Sequence, residues 1–232
     1  MTDLEIYKRQ AAEEALAYID NGMTLGLGSG STAEHLLYAL AERLTDGRLR
    51  NITGVASSER TAAVATRLGI PLATLAERPV LDIAIDGADE VDPALHLIKG
   101  RGGALLREKI IAASATRFLV IVDETKLVNR LGERMPLPIE LVAFALPLVE
   151  RRLYELGGEP TLRRAADGNP YRTDEGHVIV DVHFGAMPDP IALGAALNTI
   201  PGIMEHGIFA GMAELAFVAG PAGVARMQRA TP

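Results

Sequence analysis

Apolar positions in the first half of the chain fall into short runs separated by amphipathic stretches. Runs at 23–28, 52–56, 80–85 and 118–122 are short, apolar and bounded by turn residues, which predicts buried strands. The stretches 4–19, 31–44, 58–68 and 103–115 between and before them read as helices. Such alternation predicts the α/β class, with a Rossmann-like open parallel sheet and helices on both faces. Ligands of open parallel sheets sit beyond the carboxyl ends of the strands. Here those ends carry Ser29-Gly30-Ser31-Thr32, Ser57-Ser58-Glu59-Arg60, Asp86-Gly87-Ala88-Asp89 and Asp123-Glu124-Thr125-Lys126, four polar clusters brought to one edge.

Beyond about residue 130 the pattern changes. Strands are expected at 136–142, 160–165, 178–184 and 202–210, with helices at 144–156 and 190–199. This βαββαβ order is ferredoxin-like, and the period-two alternation from Val178 to His183 fits a sheet solvated on one face. The expected division is therefore an α/β domain over 1–130 and a smaller α+β domain over 131–208. The tail 209–232 holds another apolar run and a Gly-Pro turn, and is expected to return to the first domain.

Composition narrows the chemistry. No run approaches the roughly 18 apolar residues a membrane helix needs, and the acidic start Met1-Thr2-Asp3-Leu4-Glu5 lacks the basic flank of a secretory signal. A cytoplasmic protein without membrane partners is expected. The absence of cysteine removes disulfides, thiolate nucleophiles and Cys-ligated zinc. A net charge of -7, without a Lys/Arg cluster, argues against nucleic acid, so any anionic ligand must be held locally. The basic residues are nineteen Arg and four Lys, at positions 8, 99, 109 and 126. Either a coding bias left few lysines, or lysines are kept where a compact ammonium is needed.

Three segments carry candidate chemistry. Gly26-Leu27-Gly28-Ser29-Gly30-Ser31-Thr32 joins a strand to a helix, where backbone N–H groups, the helix dipole and hydroxyls suit a phosphate. A glycine turn with a capping hydroxyl is the plainer alternative. The dinucleotide fingerprint fails, because position 31 is serine and Glu59 lies well beyond the required distance of about 20 residues; the nucleotide P-loop lysine is absent. Asp86-Gly87-Ala88-Asp89-Glu90-Val91-Asp92 crowds acids after an apolar strand, either as turn formers or as carboxylates tuned for proton transfer; it does not match a calcium loop. Lys99-Gly100-Arg101-Gly102-Gly103 offers a cation and amides to an oxyanion, and precedes a helix with Glu108 about two turns in. Arg107 and Lys109 beside Glu108 fit a solvated helix face equally well. The five histidines show no metal spacing, and His177 and His183 are expected at the surface.

Read together, these motifs resemble the type A ribose-5-phosphate isomerase family over essentially the whole chain. The resemblance rests on the glycine-hydroxyl loop, Asp86-Gly87-Ala88-Asp89-Glu90, Lys99-Gly100-Arg101-Gly102-Gly103 with Arg107-Glu108-Lys109, Asp123 with Lys126, and Pro136-Leu137-Pro138-Ile139-Glu140. It implies an isomerase of carbohydrate metabolism, without metal or cofactor, acting on a small sugar phosphate. It further implies that Glu108 is the catalytic acid/base, helped by Asp86 and Lys99. Residues 86–89 and 99–102 would line the sugar, Ser29, Gly30, Ser31 and Thr32 would hold phosphate, and Lys8 and Lys126 would assist. A homodimer or homotetramer follows from the same resemblance, with the second domain as lid and contact surface. Ser29 and Arg101 depart from the family pattern, which commonly has threonine and glycine there. A phosphosugar sensor and a metal-dependent hydride-shift isomerase are the competing classes. A turnover assay separates the first, and inhibition by EDTA the second.

Overall fold

The structure is a computed structural model and describes residues 3–229. In chain order the first elements are α1 (Asp3–Ala15), β1 (Thr24–Leu27), α2 (Ser31–Thr45), β2 (Thr53–Ala56), α3 (Glu59–Arg67) and β3 (Leu81–Asp86). Two short strands, β4 (Glu90–Val91) and β5 (Leu97–Ile98), precede α4 (Leu105–Ser114) and β6 (Ala115–Asp123). Then come β7 (Leu137–Leu141), α5 (Leu146–Glu155), β8 (Glu159–Leu162), β9 (Val178–His183), α6 (Pro190–Leu197) and β10 (Ile203–His206). The chain ends with β11 (Ile208–Phe209), β12 (Leu215–Gly220) and β13 (Gly223–Gln228).

The chain divides into two compact units. One comprises the chain up to Ala88, Arg107–Lys126 and the chain from Gly211. Its sheet has the order β13-β12-β6-β3-β1-β2, and every neighbouring pair is parallel except the β12–β13 hairpin. The mixed, mainly parallel sheet of an α/β fold is thus present. Leu25, Leu27, Ile83, Ile85, Leu119, Ile121 and Phe217 form the sheet side of its core, met by Ala11, Ala12 and Ala15 of α1 and Leu36, Leu37 and Leu40 of α2. Alanines on α1 let that helix lie close to the sheet, while each buried leucine contributes about 1.5–3 kcal/mol. Central strand β12 is buried throughout, whereas edge strand β13 is exposed except at half-buried Val224 and Met227.

The other unit comprises Asp89–Leu106 and Leu127–Ala210. Its four-stranded antiparallel sheet has the order β10-β7-β9-β8, as the βαββαβ run predicts. Leu137, Ile139 and Leu141 of β7 pack with Val178, Val180 and Val182 of β9, under Val149 and Leu153 of α5 and Leu197 of α6. A second sheet, β11-β5-β4, explains why 89–106 belongs with this unit instead of with the chain on either side: β5 pairs with β11.

The single strand expected at 202–210 is two strands, β10 in the larger sheet and β11 in the smaller. Gly207 makes the transfer. Its N–H donates to the Pro138 carbonyl at 2.8 Å and its carbonyl accepts from the Lys99 N–H at 2.9 Å. A Cβ at Gly207 would lie 2.3 Å from the Lys99 carbonyl oxygen, so only glycine fits between the two neighbours. Among the described residues no helix is long and apolar enough to cross a membrane.

Candidate active site

In the first unit, β1 and β3 are parallel neighbours, with Leu27 opposite Ile85, and their loops leave side by side. The Gly28 N–H extends the ladder to the Ile85 carbonyl at 3.0 Å. The next N–H, of Ser29, donates to Asp86 Oδ1 at 2.9 Å, and the Gly87 N–H donates to the same oxygen at 2.7 Å. Asp86 is buried and lies directly over Gly28: a Cβ there would be 2.2 Å from Oδ1. Gly26 has a matching role, since a Cβ would meet Ile111 Cγ2 at 2.5 Å and Ala84 Cβ at 2.8 Å. Its bareness lets α4 settle on β1. The first two glycines of the motif therefore make room for protein groups.

Gly30 differs, with φ +92°, and it precedes α2 without offering a capping side chain. The first-turn N–H groups of a helix have no intrahelical acceptor, and here they begin at exposed Ser31 and half-buried Thr32. This is a helix start suited to an anion. Ser29, expected to offer its hydroxyl to the same anion, turns it inward. The Ser29 Oγ lies 2.8 Å from Ser57 Oγ and donates to Ser58 Oγ at 2.9 Å; Ser58 donates to Thr61 Oγ1 at 2.9 Å, which donates to the Gly28 carbonyl at 3.0 Å. The relay ties the loop to the start of α3. Ser57 and Ser58 stood out in the sequence at a strand end, but nothing there revealed their partner.

Glu108 is buried and lies in the first turn of α4, one turn earlier than its sequence neighbourhood predicts. An acid at that position is favoured by the helix dipole. Lys126 ends a single 3₁₀ turn after β6 and is half-buried. Before it, buried Asp123 accepts the Thr125 N–H at 3.0 Å and the Thr125 hydroxyl as well. Lys8 is held on its own helix by Glu5, at 2.6 Å, and the other Glu5 oxygen lies 2.8 Å from His35 Nε2 on α2. Hydrogen bonds from Lys8, and secondarily from His35, hold the Glu5 carboxyl below the usual carboxylate range.

The second unit carries the remaining residues. Lys99 follows β5, only 3% exposed, with its Nζ 5.6 Å from the centroid of the Phe209 ring. Asp89 pairs through its N–H with the Ile98 carbonyl at 2.8 Å, and its Oδ2 accepts the Arg101 N–H at 2.9 Å. The Arg101 side chain is exposed, so its tie to the loop is through the main chain. Gly100 and Gly103, at φ +104° and +86°, turn the loop. The other acids of the cluster are structural. Glu90 accepts the N–H groups of Gly132, Arg134 and Met135 at 2.6, 2.8 and 2.8 Å, and Asp92 accepts those of Ala94 and His96 at 2.9 and 2.8 Å. His177, expected at the surface, is half-buried and places Nδ1 2.9 Å from buried Glu140, which also accepts the Thr173 hydroxyl at 2.8 Å. Among the described residues no group of three or more His, Asp or Glu could hold a metal ion.

The chain is similar to known proteins over most of its length. The family model of ribose 5-phosphate isomerase A (phosphoriboisomerase A) matches residues 53–223. The ribose-5-phosphate isomerase A of Roseiflexus sp. (strain RS-1) is 58% identical over 225 residues, covering 97% of each chain. That of Nitrobacter hamburgensis is 50% identical over 232 residues, covering 97% of this chain and 99% of its own. Among solved structures, a D-ribose-5-phosphate isomerase in complex with phospho-erythronic acid superposes with TM-score 0.96 at 41% identity, over 98% of this chain and 100% of that one. The ribose 5-phosphate isomerase of Methanocaldococcus jannaschii gives 0.92 at 40% identity, over 97% and 99%.

Proposed function

Because the chain belongs to the ribose 5-phosphate isomerase A family, and so interconverts ribose 5-phosphate and ribulose 5-phosphate in the pentose phosphate pathway, we propose that Glu108 is the base that moves the proton. The observation that carries this is a carboxylate buried in the first turn of α4, on a helix seated against β1 through Gly26. Buried ionisable groups cluster at functional sites, where burial and neighbours tune them for proton transfer.

The phosphate is taken by the N–H groups and hydroxyls that open α2, at Gly30, Ser31 and Thr32, with Ser29 fixing the loop from behind. Lys126 adds countercharge, and Lys8 does so by exchanging Glu5 for the ligand. Anchoring one end of the open-chain sugar makes proton transfer at the other effectively intramolecular. Glu108 removes the proton from C2 of the aldose and returns it to C1, through a cis-enediolate. Lys99 and the Gly102 N–H stabilise the oxyanion that develops on the way. Asp86 carries the hydroxyl proton and assists ring opening, while Asp89 holds the Lys99 loop in place. Gly87 and Ala88 link the two acids and line the sugar, as Gly100 and Arg101 do through their main chain. That a related isomerase binds phospho-erythronic acid, with a phosphate at one end and a carboxylate at the other, supports an anion site at each end.

The reading includes no metal and no cofactor, a cytoplasmic location, and a homodimer or homotetramer with the second unit as lid and contact surface. Glu108→Gln tests the central assignment. The variant should bind a phosphorylated four-carbon acid normally while turnover falls about 100-fold or more; near-normal turnover in folded protein refutes it. EDTA should leave wild-type turnover unchanged.

A further inference from the structure

Arg163 follows β8, and none of the catalytic roles above uses it. Its side chain is only 15% exposed and forks onto Asp181 of β9, Nε to Oδ2 at 2.8 Å and Nη2 to Oδ1 at 2.5 Å. The remaining nitrogen, Nη1, donates to two successive carbonyls of the lysine loop, Gly100 at 3.1 Å and Arg101 at 3.0 Å. The next carbonyl, Gly102, accepts from the Tyr171 hydroxyl at 3.3 Å, and the Tyr171 ring lies 5.9 Å from the Arg163 guanidinium carbon. Three consecutive carbonyls are thus drawn to one side of the loop.

The C=O of a trans peptide and the N–H that follows it point in opposite directions. Holding the Gly100 carbonyl on Arg163 turns the Arg101 N–H the other way, and that N–H does meet Asp89 Oδ2. Holding the Arg101 carbonyl turns the Gly102 N–H to that same far side. Successive N–H groups facing one way form an anion-binding concavity, and the positive φ of Gly100 is what lets the chain adopt it. A lysine could not replace the arginine, since one rigid fork must serve a carboxylate and two carbonyls together.

We propose that Arg163, oriented by Asp181, is a positioning residue for the isomerisation: it sets the peptide planes of Gly100 and Arg101 so that the Arg101 N–H is held on Asp89 and the Gly102 N–H faces the developing oxyanion. The inference rests on the proposed role of the Lys99 loop. Phosphate anchoring belongs to other residues, so loss of Arg163 should act on turnover and leave substrate affinity largely alone.

The test is steady-state kinetics on Arg163→Met and Arg163→Ala, with folding checked by thermal melting. The expected result is a kcat lowered about 10- to 100-fold, with KM for ribose 5-phosphate changed less than about 3-fold. Millimolar guanidinium should restore part of the Arg163→Ala turnover and none of that lost in Glu108→Gln. Unchanged kcat, an effect confined to KM, or no restoration in folded Arg163→Ala overturns the proposal. If neither variant folds, Asp181→Asn is read by the same kcat and KM criterion. Should Glu108→Gln keep its turnover, the catalytic reading itself fails; if it loses turnover while Arg163→Met does not, only the positioning role does.

Discussion

The Ser29 N–H is bonded to Asp86 Oδ1 at 2.9 Å, so the loop that opens α2 and the acid that ends β3 are held together by one hydrogen bond. The carboxylate reaches that loop because position 28 has no side chain. The loop and the acid are therefore set by the backbone of two adjacent strands.

Gly28→Ala should break this arrangement. The added methyl would lie 2.2 Å from Asp86 Oδ1, and either the carboxylate or β1 must move. Overpacking of this kind costs about 1–3 kcal/mol, and displacement of Asp86 should lower kcat at least about 10-fold. Urea unfolding and initial rates on the same preparation measure both.

Ser58→Ala should act on substrate affinity. Ser58 accepts the Thr61 N–H at 3.0 Å as the cap of α3, and it accepts the Ser29 hydroxyl. Loss of the cap should cost about 0.5–2 kcal/mol. Loosening the proposed phosphate loop should raise KM for ribose 5-phosphate by roughly 3-fold or more with kcat little changed, and Ser58→Thr should recover most of the affinity. A fall in kcat at constant KM would point away from the loop.

Glu90→Gln should destabilise without touching a proposed catalytic group. Both carboxylate oxygens accept main-chain N–H groups, and an amide must present its own N–H to one of them. The resulting donor–donor contact at a buried site should cost about 1–3 kcal/mol, read as a lowered midpoint in thermal or urea unfolding.

Arg117 and Glu214 give the fold a small acid-sensitive contribution. They pair at 2.7 Å, and the Arg117 hydrogen bond holds the Glu214 carboxyl below its ordinary value of 4.5. A carboxylate depressed in the folded state stabilises it above the unfolded value and loses that effect as pH falls through the folded one. Wild type and Glu214→Gln should therefore differ in unfolding free energy above pH 4.5 and converge below it. With side chains 37% and 40% exposed, the difference should stay under about 1 kcal/mol and shrink further in salt.

The parts of the fold legible in the sequence are those whose signal is local. β1, β2, β3 and β6 are apolar runs ended by turn residues, and the helices between them carry their own periodicity. The β4–β5 hairpin was not legible, since two-residue strands have no period and β5 finds its second neighbour in β11, about 110 residues further on. The apolar run of β12 was visible, but its parallel pairing with β6 depends on chain brought from far away. The same divide runs through the site. The residue types and positions of Ser31, Thr32, Asp86, Lys99 and Glu108 stand in plain motifs. The inward turn of the Ser29 hydroxyl, the room that Gly26 and Gly28 leave for Ile111 and Asp86, and the hold of Arg163 on the lysine loop all rest on partners distant in sequence.

At Gly207 a single residue fastens two sheets, one hydrogen bond to Pro138 in the larger and one to Lys99 beside the smaller. Mechanically it is a rivet. Sliding the ribbon that bears the lysine would shear its bond to Gly207, and Gly207 is itself tied to the four-stranded sheet, so the ammonium is linked to that sheet through one residue. Whatever stiffens that sheet, even at its far strands, also steadies the cation.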